Sequence, residues 1–270
     1  HWLSDGAPAS ASSAGEDLGD DLCFLIGFPR SGTTLLDVML DGHHQVLSVE
    51  EKPTMERVAF RLDRLPGHYP LAMNNLTADN RSELRGLYRQ QLAELRGPRH
   101  TLVIDKMPIR TIHAAFIHRL FPNAKFLFAE RHPCDVVLSN FMQNYAINEA
   151  MIHFTRIDSA VETYDRIMRL WQRTLETLPE LPVHSVRYEK LLEDPEATLR
   201  AACGFLGLPW QSGLQEHRES LAQRGSIKTN SYHQVAEPLY QRSKYRWQNY
   251  REHLQPHLPI LQYHIERMGY

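Results

Sequence analysis

The chain has 270 residues, enough for one sizeable α/β domain or two small ones. Its 42% hydrophobic and 23% charged residues are ordinary for a soluble globular protein, and a net charge of −2 argues against a broad nucleic-acid surface. Cys23, Cys134 and Cys203 are too few and too scattered for a disulfide framework, so a reduced, cytoplasmic setting is expected.

No run approaches the ~20 apolar residues of a membrane helix, and no signal peptide is visible. The start at His1 rather than Met is expected of a fragment or processed product. Residues 1–21, small, polar and acidic from Ser4 on, read as a flexible linker, and order should begin near Leu22. "LCFLIG" then reads as a fully apolar strand, and "TTLLDVML" as a helix ending at Gly42, a C-cap residue. Ser82 to Gly97 has the spacing of an amphipathic helix. "TLVID" (101–105) is a second buried strand, "HAAFIHRLF" a short helix stopped by Pro122, and "AKFLFAE" (124–130) a third strand. A long helix covers Ala160 to Leu178, a fourth strand Val183 to Tyr188, and a last helix follows Pro195. The strands alternate with helices and lack period-2 patterning. This predicts an α/β fold with a central parallel sheet covered on both faces.

"FLIGFPRSGTTLL" joins the first strand to the first helix. Gly27 and Gly32 have the separation of a phosphate-binding loop, and backbone amides at the helix start suit an anion. Arg30, Ser31, Thr33 and Thr34 add side-chain donors. The alternative is a tight turn with no ligand. A nucleotide kinase or ATPase would need a lysine after the second glycine, where Thr33 stands. Asp105 could stand in for an acid that holds Mg²⁺, but Lys106 follows it at once.

"FPRSGTTLL", "FAERHPCDVVLSNF", "VRYEKLLEDP" and "KTNSYHQVAEPLYQRSKYRWQNY" occur in this order. Together they resemble the sulfotransferases that use 3′-phosphoadenylyl sulfate, over Leu22 to about Tyr250. The last segment is similar to bacterial members related to the protein-tyrosine enzymes, which are often fused to helical repeats. A sulfotransferase domain over 22–270 with a P-loop-containing fold is the implied organisation, and an upstream helical-repeat domain the implied neighbour.

The resemblance implies a role for each matching residue. Arg30, Ser31, Gly32, Thr33 and Thr34 would hold the 5′-phosphosulfate. Lys106, expected at the C-terminal end of its strand beside the loop, would stabilise the leaving phosphate. Arg131 and Ser139, eight apart and so near one face of a helix, would share the 3′-phosphate. Tyr188 would flank the adenine, and either Arg246 or Lys244 would complete the phosphate site. Small-molecule sulfotransferases carry a histidine base at the position of Pro108. The tyrosine-sulfating enzymes use a glutamate, and registering on Arg30 places that base at Glu51. Glu50 should diverge from it if the segment is extended.

His43 and His44 lie nearby with no assigned role. His253 with His257, and His113 with His118, lack a third ligand, so no metal is expected. Residues 52–80 and 143–159 are the expected acceptor loops. The acceptor implied is a hydroxyl compound or a peptide tyrosine, with sugars and lipids open, and so is the oligomeric state. The competing readings are a P-loop nucleotide kinase and a catalytically inactive nucleotide-binding module.

Overall fold

The computed structural model describes residues 16–146, 148, 151–216 and 243–270. Five strands form one sheet: β1 (Leu22–Gly27), β2 (Val46–Glu50), β3 (Leu102–Lys106), β4 (Lys125–Glu130) and β5 (Val183–Arg187). Every pairing is parallel, in the order β2-β3-β1-β4-β5. The parallel α/β sheet expected from the alternating pattern is therefore present, and it is the P-loop-containing fold that the resemblance implies.

β1 lies at the centre, and each of its residues is buried. Leu22, Phe24 and Ile26 enter the core on one face of the sheet, and Cys23 and Leu25 enter the core on the other. That is why the strand shows no alternation of polar and apolar residues. The chain leaves β1 for an outer strand and returns to flank it on both sides. The C-terminal end of β1 is thus the switch point where ligands bind in open α/β sheets.

The longer helices among the described residues are α1 (Thr33–Asp41), α2 (Thr54–Asp63), α3 (Ala78–Ala93), α4 (Ala114–Leu120), α5 (Pro133–Phe141), α6 (Ile157–Thr177), α7 (Tyr188–Glu193), α8 (Pro195–Leu206) and, near the C-terminus, α9 (Leu258–Arg267). Helix α3 starts four residues before Ser82, because Thr77 and Asn80 close a capping box at its N-terminus. Asp194 caps α8 through the Ala197 amide at 3.0 Å, with Pro195 in the first turn.

Three expectations change. Strand β2 was not read among the four strands, although its five residues pair in full register with β3. Residues 52–80 are not simply a loop, because α2 and a 3₁₀ turn at Leu71–Asn75 occupy much of them. Order also begins before Leu22. Glu16 pairs with Arg85, Asp17 with Arg89 at 2.7 Å, and Asp21 with Arg89 at 2.6 Å. The acidic run that looked like linker is, from Glu16 on, held by the arginine face of α3. Residues 1–15 lie outside the described residues. Among those described, no helix is long and apolar enough to cross a membrane.

Candidate active site

The loop after β1 is fixed from below. The Gly27 amide donates to Thr111 Oγ1 at 2.9 Å, and the same hydroxyl donates to the Gly27 carbonyl at 2.6 Å. Asn140 of α5 donates to the Pro29 carbonyl at 2.8 Å. The backbone then turns through left-handed conformations at Arg30 (φ 71°) and Gly32 (φ 98°). Gly32 is required there twice over, because a Cβ would lie 2.5 Å from Cδ2 of Tyr188. With glycine as N-cap, α1 has no side-chain cap, and its first amides are left to an anion.

Arg30, Arg131, Ser139 and Tyr188 form one connected set. Arg30 Nε donates to Ser139 Oγ at 3.1 Å. Arg131 donates to the Arg30 carbonyl at 3.0 Å and to the Ser243 carbonyl at 2.7 Å. Its guanidinium lies 4.8 Å from the Tyr188 ring centroid, and Tyr188 OH is 2.8 Å from Ser243 Oγ. Arg131 Nε and Ser31 Oγ are buried without a hydrogen-bond partner among the described residues. Buried polar atoms of this kind suit a polar ligand. Thr33 and Thr34, both buried, open α1 beside them.

The expected third cation is less clear-cut. Lys244 is held by Glu193 at 2.6 Å, and this contact, followed by that of Lys190, holds the Glu193 carboxyl down at about 2. Arg246 lies over the Tyr250 ring at 5.8 Å. Among the described residues, the contacts from this segment to the site come from Ser243, which the sequence reading passed over, from Tyr245, whose ring meets His132 at 5.7 Å, and from Trp247. The Trp247 amide donates to Asp135 at 2.8 Å, and its ring stacks on His132 at 5.1 Å. Burial, then the neighbouring Arg131 charge, pushes His132 down to about 4.

Across β1, Lys106 ends β3 with a fully buried side chain. Its Nζ donates to Glu51 at 2.7 Å and to Glu50 at 3.2 Å. The expectation that Glu50 and Glu51 diverge is therefore wrong. Glu50 is the register partner of Lys106 in the sheet, so both point to the same face. An extended Glu51 would point to the other face, but its φ of 45° turns it back, and its amide donates to the Lys106 carbonyl at 2.8 Å.

Behind Lys106, on the opposite face of β3, lies a second polar cluster that the sequence did not announce. Asp105 and Arg110 are fully buried and in ionic contact at 2.5 Å. Asp105 also accepts from Thr54 at 2.6 Å and from Tyr88 at 2.9 Å. Arg110 reaches Glu56 and, at 2.9 Å, the Lys52 carbonyl. Burial opposes the Arg110 charge, but Asp105 and then Glu56 outweigh it and raise its pKa. The "DKMPIRT" segment carries both charges, and a polar pair five residues apart around a buried strand end was the available signal. Asp105 is thus committed to protein donors.

His43 and His44 stack on each other at 4.8 Å and turn to Pro209 and Gln211. His257 contacts Asp158, and His118 contacts Glu180. Among the described residues, no three His, Cys, Asp or Glu side chains are grouped to hold a metal ion.

A parallel sheet with a glycine-turned loop at its switch point, with Arg30, Lys106 and Arg131 nearby, defines a P-loop-class site whose charge suits an anion. The sulfotransferase family profile matches residues 23–212, and the chain belongs to that family. It is 27% identical over 250 residues to an uncharacterized protein of Aquifex aeolicus, covering 88% of this chain and 32% of that protein. It is 26% identical over 245 residues to the protein-tyrosine sulfotransferase of Drosophila melanogaster, covering 84% of this chain and 46% of that one. The chain thus spans a third to a half of the length of these two relatives. The sulfotransferase domain of the Synechococcus PCC 7002 olefin synthase has the same fold. Its TM-score is 0.57 at 21% identity, over 88% of this chain and 90% of that domain.

Proposed function

We propose that this chain transfers the sulfuryl group of 3′-phosphoadenylyl sulfate to an acceptor hydroxyl, a phenol or a peptide tyrosine, with Glu51 as general base. The observation that carries the reading is the buried Lys106 ammonium bound to Glu51 at the C-terminal edge of the sheet. A carboxylate and an ammonium side by side there suit a proton acceptor and a charge stabiliser. Similarity to the protein-tyrosine enzymes supports the phenolic acceptor.

The residues present fit the donor. Unpartnered Ser31 Oγ and the uncapped start of α1 suit its 5′-phosphosulfate. Arg131 Nε and the Arg30–Ser139 pair suit a doubly charged 3′-phosphate. Tyr188, with its ring against Gly32 and Arg131, offers a face for the base. The bound donor supplies an activated sulfuryl group whose leaving group is a phosphate. Glu51 takes the proton of the attacking hydroxyl. Lys106, Arg30 and the loop amides carry the negative charge that develops on the phosphate side. A P-loop kinase is disfavoured by Asp105, whose carboxylate is taken by Arg110, Thr54 and Tyr88 and has no place for Mg²⁺.

The test is direct. Labelled donor is offered with phenols, tyrosine peptides and glycans, and label should move to the phenolic acceptors. In parallel, adenosine 3′,5′-bisphosphate should raise the melting temperature with its concentration and without added metal, far more than Mg-ATP. Larger stabilisation by Mg-ATP would favour the kinase. Bisphosphate binding without transfer to any acceptor would favour the inactive module.

A further inference from the structure

The site has two carboxylates on one ammonium, and the proposed chemistry uses only one of them. Lys106 has no exposed side-chain surface, Glu50 has 20% and Glu51 38%. Glu50 is fixed by sheet register opposite Lys106. Glu51 stands on a left-handed residue at the strand's end and is the more open to solvent. When Glu51 accepts a proton it becomes neutral. A buried ammonium that loses its only counter-ion is strongly disfavoured.

We propose that Glu50 is a positioning residue: the standing counter-ion of Lys106, which lets Glu51 be neutralised by the acceptor's proton while Lys106 stays charged and in place. This rests on the sulfotransferase reading. In the step concerned, the acceptor O–H bond breaks and its proton passes to Glu51. The oxygen's electron pair makes the new O–S bond. The pair of the broken S–O bond leaves on the 5′-phosphate of the 3′-phosphoadenylyl sulfate donor. Through this exchange Lys106 keeps the Glu50 contact at 3.2 Å and has N–H capacity left for the phosphate. Without Glu50, Glu51 at 2.7 Å would be the sole carboxylate partner of Lys106 among the described residues, and protonating it would mean breaking that pair.

Two measurements test the inference, one of them free of donor and acceptor. Glu51→Gln mimics the neutral base. In urea denaturation of the ligand-free chain, Glu51→Gln and Glu50→Gln should each unfold near wild type. The double variant should shift the folding equilibrium by roughly a hundredfold beyond the sum of the singles. Adding Lys106→Met to it should recover most of that loss. An additive double variant, or one that Lys106→Met does not rescue, overturns the counter-ion role. In turnover, Glu50→Gln should lower kcat by roughly ten- to a hundredfold while acceptor KM and bisphosphate affinity stay within about twofold. The loss should shrink as the acceptor phenol becomes more acidic. Wild-type kcat in Glu50→Gln, or equal losses in kcat and bisphosphate affinity, overturns the proposal. A wild type that binds bisphosphate but transfers nothing overturns the functional reading instead, and the denaturation series tells the two failures apart.

Discussion

Asp105→Asn should damage catalysis without touching the nucleotide. Asp105 and Arg110 are both fully buried and 2.5 Å apart, so the variant removes half of a buried pair. Such a loss costs about 3–5 kcal/mol. The lower end, about 3 kcal/mol, is expected, because Arg110 keeps Glu56 at 2.9 Å. For a chain of this size that is a fall in Tm of roughly 6–12 °C. The catalytic effect follows from what the pair holds. Thr54 is tied to Asp105 at 2.6 Å and the Lys52 carbonyl to Arg110 at 2.9 Å, and both lie within three residues after Glu51. Loosening them by about 1 Å should cost on the order of 10² in kcat. Bisphosphate affinity, set on the far side of β1, should change less than about twofold by separation of the sites. Thermal denaturation, bisphosphate calorimetry and initial rates measure the three quantities. Asp105→Leu with Arg110→Met should recover stability but not rate, because neither change restores the ties to Thr54 and Lys52. A variant that loses stability yet keeps kcat would refute the link between this cluster and Glu51.

Arg131→Ala should weaken adenosine 3′,5′-bisphosphate about ten- to a hundredfold and a 5′-monophosphate far less, by calorimetry. Equal weakening would make Arg131 structural. Glu51→Gln should lower kcat by roughly 10²–10⁴ and leave bisphosphate affinity unchanged; near-normal turnover would remove it as base. Gly32→Ala, at φ 98° and facing Tyr188 at 2.5 Å, should cost roughly 1–2 kcal/mol in backbone strain alone. It should abolish most bisphosphate binding in a thermal-shift titration. His113 and His132 are held down to about 4 by burial, with an ordinary value of 6.5 when unfolded. Their depressed folded values give stability that is complete above about pH 6.5 and is lost as pH falls toward 4. His132→Gln should flatten that part of the Tm profile, and an unchanged slope would show that His132 does not titrate with unfolding.

The sheet was legible because its strands are buried on both faces, and continuous apolar runs such as "LCFLIG" have few other uses. Strand β2 escaped because it lies at the edge. Only Val46 and Val49 of its five residues are buried, and Ser48 is spent on Asp37 at 2.6 Å. Glu16, Asp17 and Asp21 looked like linker for a related reason. Their partners Arg85 and Arg89 are over sixty residues away, and composition carries no such information.

Within the site, spacing along a regular element foresaw which residues meet, and spacing along strained backbone did not. Arg131 just precedes one short helix and Ser139 lies on it, so spacing alone brought them toward a common point, which proves to be Arg30. Glu50 and Glu51 were separated by the same kind of rule, and there it failed. Alternation holds only while φ stays extended, and one left-handed residue at φ 45° reverses it. Such a backbone costs about 1–2 kcal/mol outside glycine. The return contact of Glu51 on Lys106, together with the Arg110 and Asp105 ties to the next residues, is what holds it there. The strain and the ion cluster therefore explain each other. If so, Glu51→Gly should relieve the backbone and Glu51→Gln should not, so the glycine variant should be the less destabilised of the two once Lys106→Met has removed the charge from both. The reverse order would mean that the left-handed backbone at Glu51 stores no strain for the ion cluster to hold.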